Sequence, residues 1–133
     1  MKVSTIITLA GLNGFAATAL GAMGAHTLGL DARGVALFAQ ASQYHFIHTL
    51  ALIGCAWMAN HTAGGGVANR WASRTATFFL IGMACFSGSL YWLGVMGAGS
   101  LGGYHWITPI GGLAFMGGWL SFAWGGFTMR GNS

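Results

Sequence analysis

Four long apolar runs, separated by short polar turns and almost free of charge, leave this chain few ways to fold. Its 133 residues include five Lys and Arg and one acid, so only 5% of the chain is charged. A soluble domain carries about 25% charged residues to cover its surface. With 55% hydrophobic residues and a mean hydropathy of +0.65, this chain must use lipid as its solvent. There every backbone polar group has to be satisfied internally, which permits helices or a closed barrel. The alternation of a barrel strand is missing. The expected fold is all-α: a single transmembrane domain over residues 1–133, an integral membrane four-helix bundle running up-down-up-down with short loops.

The runs place helices at about 4–25, 36–59, 75–97 and 108–129. The first follows Lys2 and has small residues near Ala22 and Gly24, as a signal peptide would. Its length suits a span, and it is read as the first transmembrane helix. Residues 26–35 form a polar turn around Asp31, residues 60–74 with Gly64 to Gly66 form the clearest loop, and residues 98–107 form a glycine-rich turn. Pro109 falls in the first turn of the last helix, where its missing N–H costs little. Lys2, Arg70, Arg74 and Arg130 flank one side of the membrane and Arg33 alone the other. By the positive-inside rule both termini and the central loop are cytoplasmic, and the expected location is a bacterial inner membrane.

Small residues at helical spacing, Ala10, Gly14, Thr18 and Ala22 in the first helix and Gly117, Ser121 and Gly125 in the last, point to close helix packing. Cys55 and Cys85 lie inside apolar runs without metal-binding spacing and read as small hydrophobes. The scattered basic residues are not a nucleic-acid footprint.

Polar side chains gather at one end of the four helices. His26 ends the first; Gln40, Gln43, Tyr44, His45 and His48 occupy the second; Ser87, Ser89 and Tyr91 lie on the third; His105 and Thr108 open the fourth. Gln40, Gln43, Tyr44 and His48 are spaced by three and four, so they are expected to share one inward face, with His45 about 100° from Tyr44. Ionisable groups inside a span mark function by default. The predicted ligand-binding set is His26, Gln40, Tyr44, His48, Ser87, Ser89, Tyr91 and Thr108, with His26 and His48 as the pair for a metal or haem. No cofactor is expected from this set, and the same residues serve equally to hydrogen-bond helices together. A serine nucleophile at Ser87 or Ser89 with His48 as base lacks an acid, because Asp31 lies in a turn.

"GAHTL" (24–28), Tyr44, His48 and Ala51, "FSGSLY" (86–91), "TPIGG" (108–112) and "GGW" (117–119) together resemble the small bacterial and mitochondrial membrane proteins catalogued as domain of unknown function 423. The resemblance covers nearly the whole chain and implies four transmembrane helices, with no activity attached. His26, Tyr44, His48, Ser87, Ser89, Tyr91, Thr108 and Pro109 fall on the pattern of that family. At His45 the family more often resembles glutamine, and His105 lies outside its motifs. The resemblance leaves function open; the lack of a soluble domain, the scarcity of charge, the small-residue stripes and the incomplete catalytic set make the expected function non-enzymatic: an accessory or scaffolding subunit of a larger membrane complex, with membrane lipids and other membrane subunits or further copies of the chain as partners. The alternative is a binder of a small molecule, lipid, quinone, metal or haem in the polar pocket.

Overall fold

In the computed structural model, which describes residues 1–26, 28–60 and 65–129, five α-helices follow in order. They are α1 (Val3–His26), α2 (Ala32–Ala59), α3 (Gly65–Gly82), α4 (Gly88–Met96) and α5 (Ile107–Met129). A π-helical turn, Met83–Ser87, joins α3 to α4 without a break, so the two act as one rod. Four rods result, with no strand among the described residues. Val3–His26 and Gly66–Met96 are long and apolar enough to cross a membrane. At 28 and 23 residues α2 and α5 also exceed the ~20 needed to span.

Two boundaries differ from the sequence reading. Asp31 is not in mid-turn but is the N-cap of α2, its Oδ1 accepting the Gly34 N–H at 2.6 Å, so α2 begins at Ala32. The third rod begins at Gly65, ten residues before the expected start at 75, and turns most of the expected loop into helix. Buried Ala68, Ala72, Ala76 and Phe79, spaced by four and three, hold this extension against the bundle. Thr27, Gly64 and Arg130, used in the sequence reading, lie outside the described residues. Pro109 takes the third position of α5, as expected.

Successive rods lie side by side and antiparallel. A Cβ on Gly14 would sit 3.6 Å from Thr49, and Gly24 faces the Phe38 ring, so α1 runs against α2. The third rod meets α2 where a Cβ on Gly34 would sit 2.6 Å from the Gly94 carbonyl oxygen, and where Thr49 Oγ1 lies 3.6 Å from Met83 Sδ. Along α5, glycines at a seven-residue interval receive aromatic residues of the third rod: Gly111 faces Phe86, Gly118 the Phe79 ring, and Gly125 the Cβ of Trp71. Phe115 returns the contact by packing on Gly82. Without a hydrophobic force between helices in lipid, this interlocking of small and large residues supplies the packing energy. One core cluster centres on Leu52, Cys55, Phe79, Met83 and Phe115, and a second on Phe38, Ala41, Leu90 and Tyr91.

The expected small-residue stripe on α1 is partly turned outward. Ala10 is buried and Gly14 meets α2, whereas Thr18 and Ala22 are exposed and Ala17 takes the inward position.

Candidate functional site

The buried strip of α2 runs Gly34, Phe38, Ala41, His45, His48, Leu52, Cys55, in alternating steps of four and three. It differs from the face expected from sequence. Gln40 and Gln43 are exposed, Tyr44 is 36% exposed, and His45, placed off the face by the spacing argument, is buried at 7%. The reason is close approach at one end and hydrogen bonding in the middle. The inward strip meets Gly94 of α4 at Gly34, and its polar members are the ones with partners on other rods: Asn13 of α1 and Tyr91 of α4 for His45, Trp119 of α5 for His48.

His48 is closed on all sides. Its ring lies parallel to Phe115 at 3.5 Å between centroids and meets Phe79 edge-on at 5.1 Å. Trp119 Nε1–H donates to His48 Nε2 at 3.1 Å, and His48 Nδ1 lies 2.7 Å from the Tyr44 carbonyl oxygen. An indole N–H only donates and a carbonyl only accepts, so the two bonds fix the tautomer: Nδ1 carries the proton and Nε2 accepts. Neither nitrogen is left for a metal unless Trp119 moves away.

His45 sits in a second network on another side of α2. Asn13 Nδ2 donates to the Leu9 carbonyl at 2.8 Å, which leaves Asn13 Oδ1 to accept His45 Nε2–H at 3.2 Å. His45 Nδ1 then accepts the Tyr91 hydroxyl at a long 3.4 Å, and Ser42 lies 3.2 Å from the same phenol oxygen. The chain Ser42, Tyr91, His45, Asn13 thus ties α4 to α1 through α2. Tyr91, His45 and Asn13 form the floor of a cleft of about 210 Å³ between α1 and the third rod, walled by Leu20, Leu80, Met83, Ala84 and Gly88. The π turn supplies Met83 and Ala84 to that wall, and such turns recur at functional sites.

The expected single pocket is therefore divided. Tyr44 and His48 stay together with Phe86 and Phe115, but face α5 and the third rod. Ser89 and Thr108 share a 2.7 Å hydrogen bond that links α4 to α5, and Ser89 also donates to the Phe86 carbonyl. Ser87 is buried with its hydroxyl unpartnered among the described residues. Tyr91 joins the His45 network. The metal pair does not form: His26 is exposed at the end of α1, level with the start of α2 by the Gly24–Phe38 contact, which is about 18 Å along the axis from His48. Among the described residues no three His, Cys, Asp or Glu side chains gather as metal ligands. The serine, histidine and acid also stay apart, since Asp31 is engaged at the α2 cap about 25 Å along the helix from His48.

Sequence reasoning missed Asn13, Ser42 and Trp119 as partners. Asn13 is the one amide inside the first apolar run, and that isolation was the available signal.

The residues that carry the family resemblance meet one another in space. "TPIGG" packs on "FSGSLY" through Gly111 on Phe86 and Thr108 on Ser89. "GGW" reaches His48 through Trp119, and Gly24 of "GAHTL" receives Phe38. This architecture defines a small integral membrane protein of four helical rods, held together by glycine–aromatic packing and a few buried hydrogen bonds. Residues 20–112 match the family described as "Protein of unknown function (DUF423)", and the chain belongs to that family. It is 37% identical over 126 residues to the "UPF0382 membrane protein" of Haemophilus influenzae, covering 93% of this chain and 94% of the relative. It is 32% identical over 116 residues to the "UPF0382 inner membrane protein YgdD" of Escherichia coli K12, covering 86% and 82%. The "UPF0382 membrane protein YwdK" of Bacillus subtilis is 37% identical over 123 residues. No solved structure matches. These relatives carry membrane names and no activity.

Proposed function

We propose that this chain is a non-enzymatic accessory or scaffolding component of a bacterial inner membrane, with both termini in the cytoplasm. The supporting observation is what the polar side chains do. His45 and His48 have both ring nitrogens engaged within the bundle, Asp31 caps α2, and Ser89 joins α4 to α5. Their chemistry is directed at holding rods together. Meanwhile α1 leans on α2 and leaves a lipid-side groove of about 500 Å³ floored by Gly11, Gly14 and Thr18 and flanked by Phe46, Leu50 and Ile53. A floor of small residues lets the backbone of another transmembrane helix come close. The orientation rests on Lys2, Arg70 and Arg74, which share one end because the Met1 nitrogen lies 2.6 Å from Ser73 Oγ.

One observation favours a second reading, a binder of a small lipid-soluble molecule with one polar end. The Tyr91–His45 bond at 3.4 Å is the slackest in its network and lies on the floor of the α1–α4 cleft, where a ligand carbonyl or hydroxyl can compete for it. A native mass spectrum of the protein, extracted gently from its own membranes, separates the two. Companion subunits on a chain without small adducts support the accessory role. A small adduct that disappears in Ala84→Trp, which fills the cleft from its exposed rim, supports the binder and refutes the first reading.

A further inference from the structure

The two ends of the bundle are charged very differently. The single acid of the sequence, Asp31, stands at one end beside Arg33. Lys2, Arg70 and Arg74 stand at the other, where no side-chain carboxylate is available to neutralise them. Arg70, Ser73 and Arg74 are related by three and four residues, so they occupy one face of the extended part of α3. The Arg74 guanidinium lies 4.8 Å from the Trp71 ring centroid, which fixes it near the rod surface, and both arginines are exposed. Ser73 Oγ holds the Met1 nitrogen and donates to the Asn69 carbonyl at 2.7 Å, so the start of α1, with Lys2, is pinned beside these arginines.

The same face continues toward the membrane interior as an apolar furrow formed by Thr77, Phe78 and Ile81, with Ser73 and Arg74 at its mouth. Phe78 is tilted onto α5, where a Cβ on Gly117 would lie 3.3 Å from its ring, so the furrow has a fixed wall. A cationic mouth over an apolar groove, at the depth where α3 leaves the apolar part of the bundle, has the chemistry of a phospholipid site: phosphate above, acyl chain below.

From this juxtaposition we infer that the Arg70–Arg74 face of α3 binds an anionic phospholipid, its phosphate at Arg70, Arg74 and Lys2 and one acyl chain along Thr77, Phe78 and Ile81. A zwitterionic lipid brings its own ammonium group to the same cations and fits less well. The inference is independent of the α1–α4 cleft and of any partner subunit.

The test is a native mass-spectrometric titration of the full chain, delipidated in neutral detergent, with phosphatidylglycerol and with phosphatidylcholine of the same acyl chains. A resolved one-to-one adduct is expected with phosphatidylglycerol at concentrations where phosphatidylcholine gives none. The double variant Arg70→Gln with Arg74→Gln is expected to weaken it about thirtyfold, about fivefold for each basic residue near an anionic headgroup. Arg70→Lys with Arg74→Lys, and Arg33→Gln at the opposite end, are expected to stay within about threefold of the parent, since each basic residue kept at the mouth retains its share of the attraction. Glycerol phosphate, a headgroup without chains, is expected not to displace the lipid. Equal binding of the two lipids overturns the inference. So does a loss in Arg33→Gln as large as in the glutamine pair, or displacement by glycerol phosphate, which would make the site one for a free phosphate anion.

Discussion

Replacing Gly111 by alanine sets a methyl carbon against the backbone nitrogen of Phe86 and 2.8 Å from its Cα. Real Cβ atoms do not approach this closely, and the atoms they strike belong to the π turn, so no side-chain rotation relieves the contact. Either α5 or the third rod has to shift. Overpacking of this kind costs about 1–3 kcal/mol, and a clash with backbone belongs at the upper end. Against it stands the gain of alanine over glycine in a helix, about 1 kcal/mol at most. The net expectation is destabilisation by about 2 kcal/mol. The neighbouring Gly112 supplies the control, because a Cβ there meets Phe86 Cδ2 at 3.8 Å, an ordinary van der Waals distance. Gly112→Ala is expected to be neutral or stabilising by up to about 1 kcal/mol. The two substitutions have the same composition and differ only in which side of α5 they alter. Reversible unfolding by sodium dodecyl sulfate in mixed micelles, followed by circular dichroism, measures the gap, expected at about 2–3 kcal/mol. Equal midpoints for the two variants, or a lower one for Gly112→Ala, would refute the backbone-to-backbone packing of α5 on the π turn.

The His48–Trp119 bond should give a coupling of about 0.6 kcal/mol, and no more than about 1.7, in a double-mutant cycle of His48→Phe and Trp119→Phe; strict additivity would show that the two side chains do not bond in the folded protein. His45→Leu leaves the Asn13 amide oxygen and the Tyr91 hydroxyl without a shared partner and is expected to cost about 1–3 kcal/mol, whereas His45→Gln keeps a donor and an acceptor and should lie within about 1 kcal/mol of the parent. If leucine is tolerated as well as glutamine in the same unfolding assay, the network does not hold α1. Asp31→Ala removes the α2 cap and should cost about 1 kcal/mol, with faster amide exchange at Gly34, while Asp31→Asn should preserve protection; unchanged Gly34 exchange in the alanine variant would contradict the capping bond.

Much of the fold is legible in the residues. Scarcity of charge and the lengths of the apolar runs require an all-α membrane protein, and the polar turns fix the number and sequence of its rods. The starts of α1 and α5, and the place of Pro109, follow as well. The site is far less legible. The spacing of Gln40, Gln43, Tyr44 and His48 is helical, yet the buried strip of α2 is rotated from it and carries His45 instead of the glutamines. His26 and His48 share a resemblance motif set and lie far apart, while Asn13, which drew no attention, and Trp119, which stood only as the end of a motif, hold the two buried histidines.

The physical reason is the solvent. In water, apolar residues mark the inside of a helix, and their period reveals the face. In lipid both faces are apolar, and a leucine gains little by choosing the interior over the bilayer, so periodicity says that a helix exists without saying which way it turns. Orientation is instead decided by which glycine admits which aromatic ring and which donor finds an acceptor on another rod. The pairs Gly111 with Phe86, Trp119 with His48, and Asn13 with His45 are far apart in the chain, and only the assembled bundle brings them together.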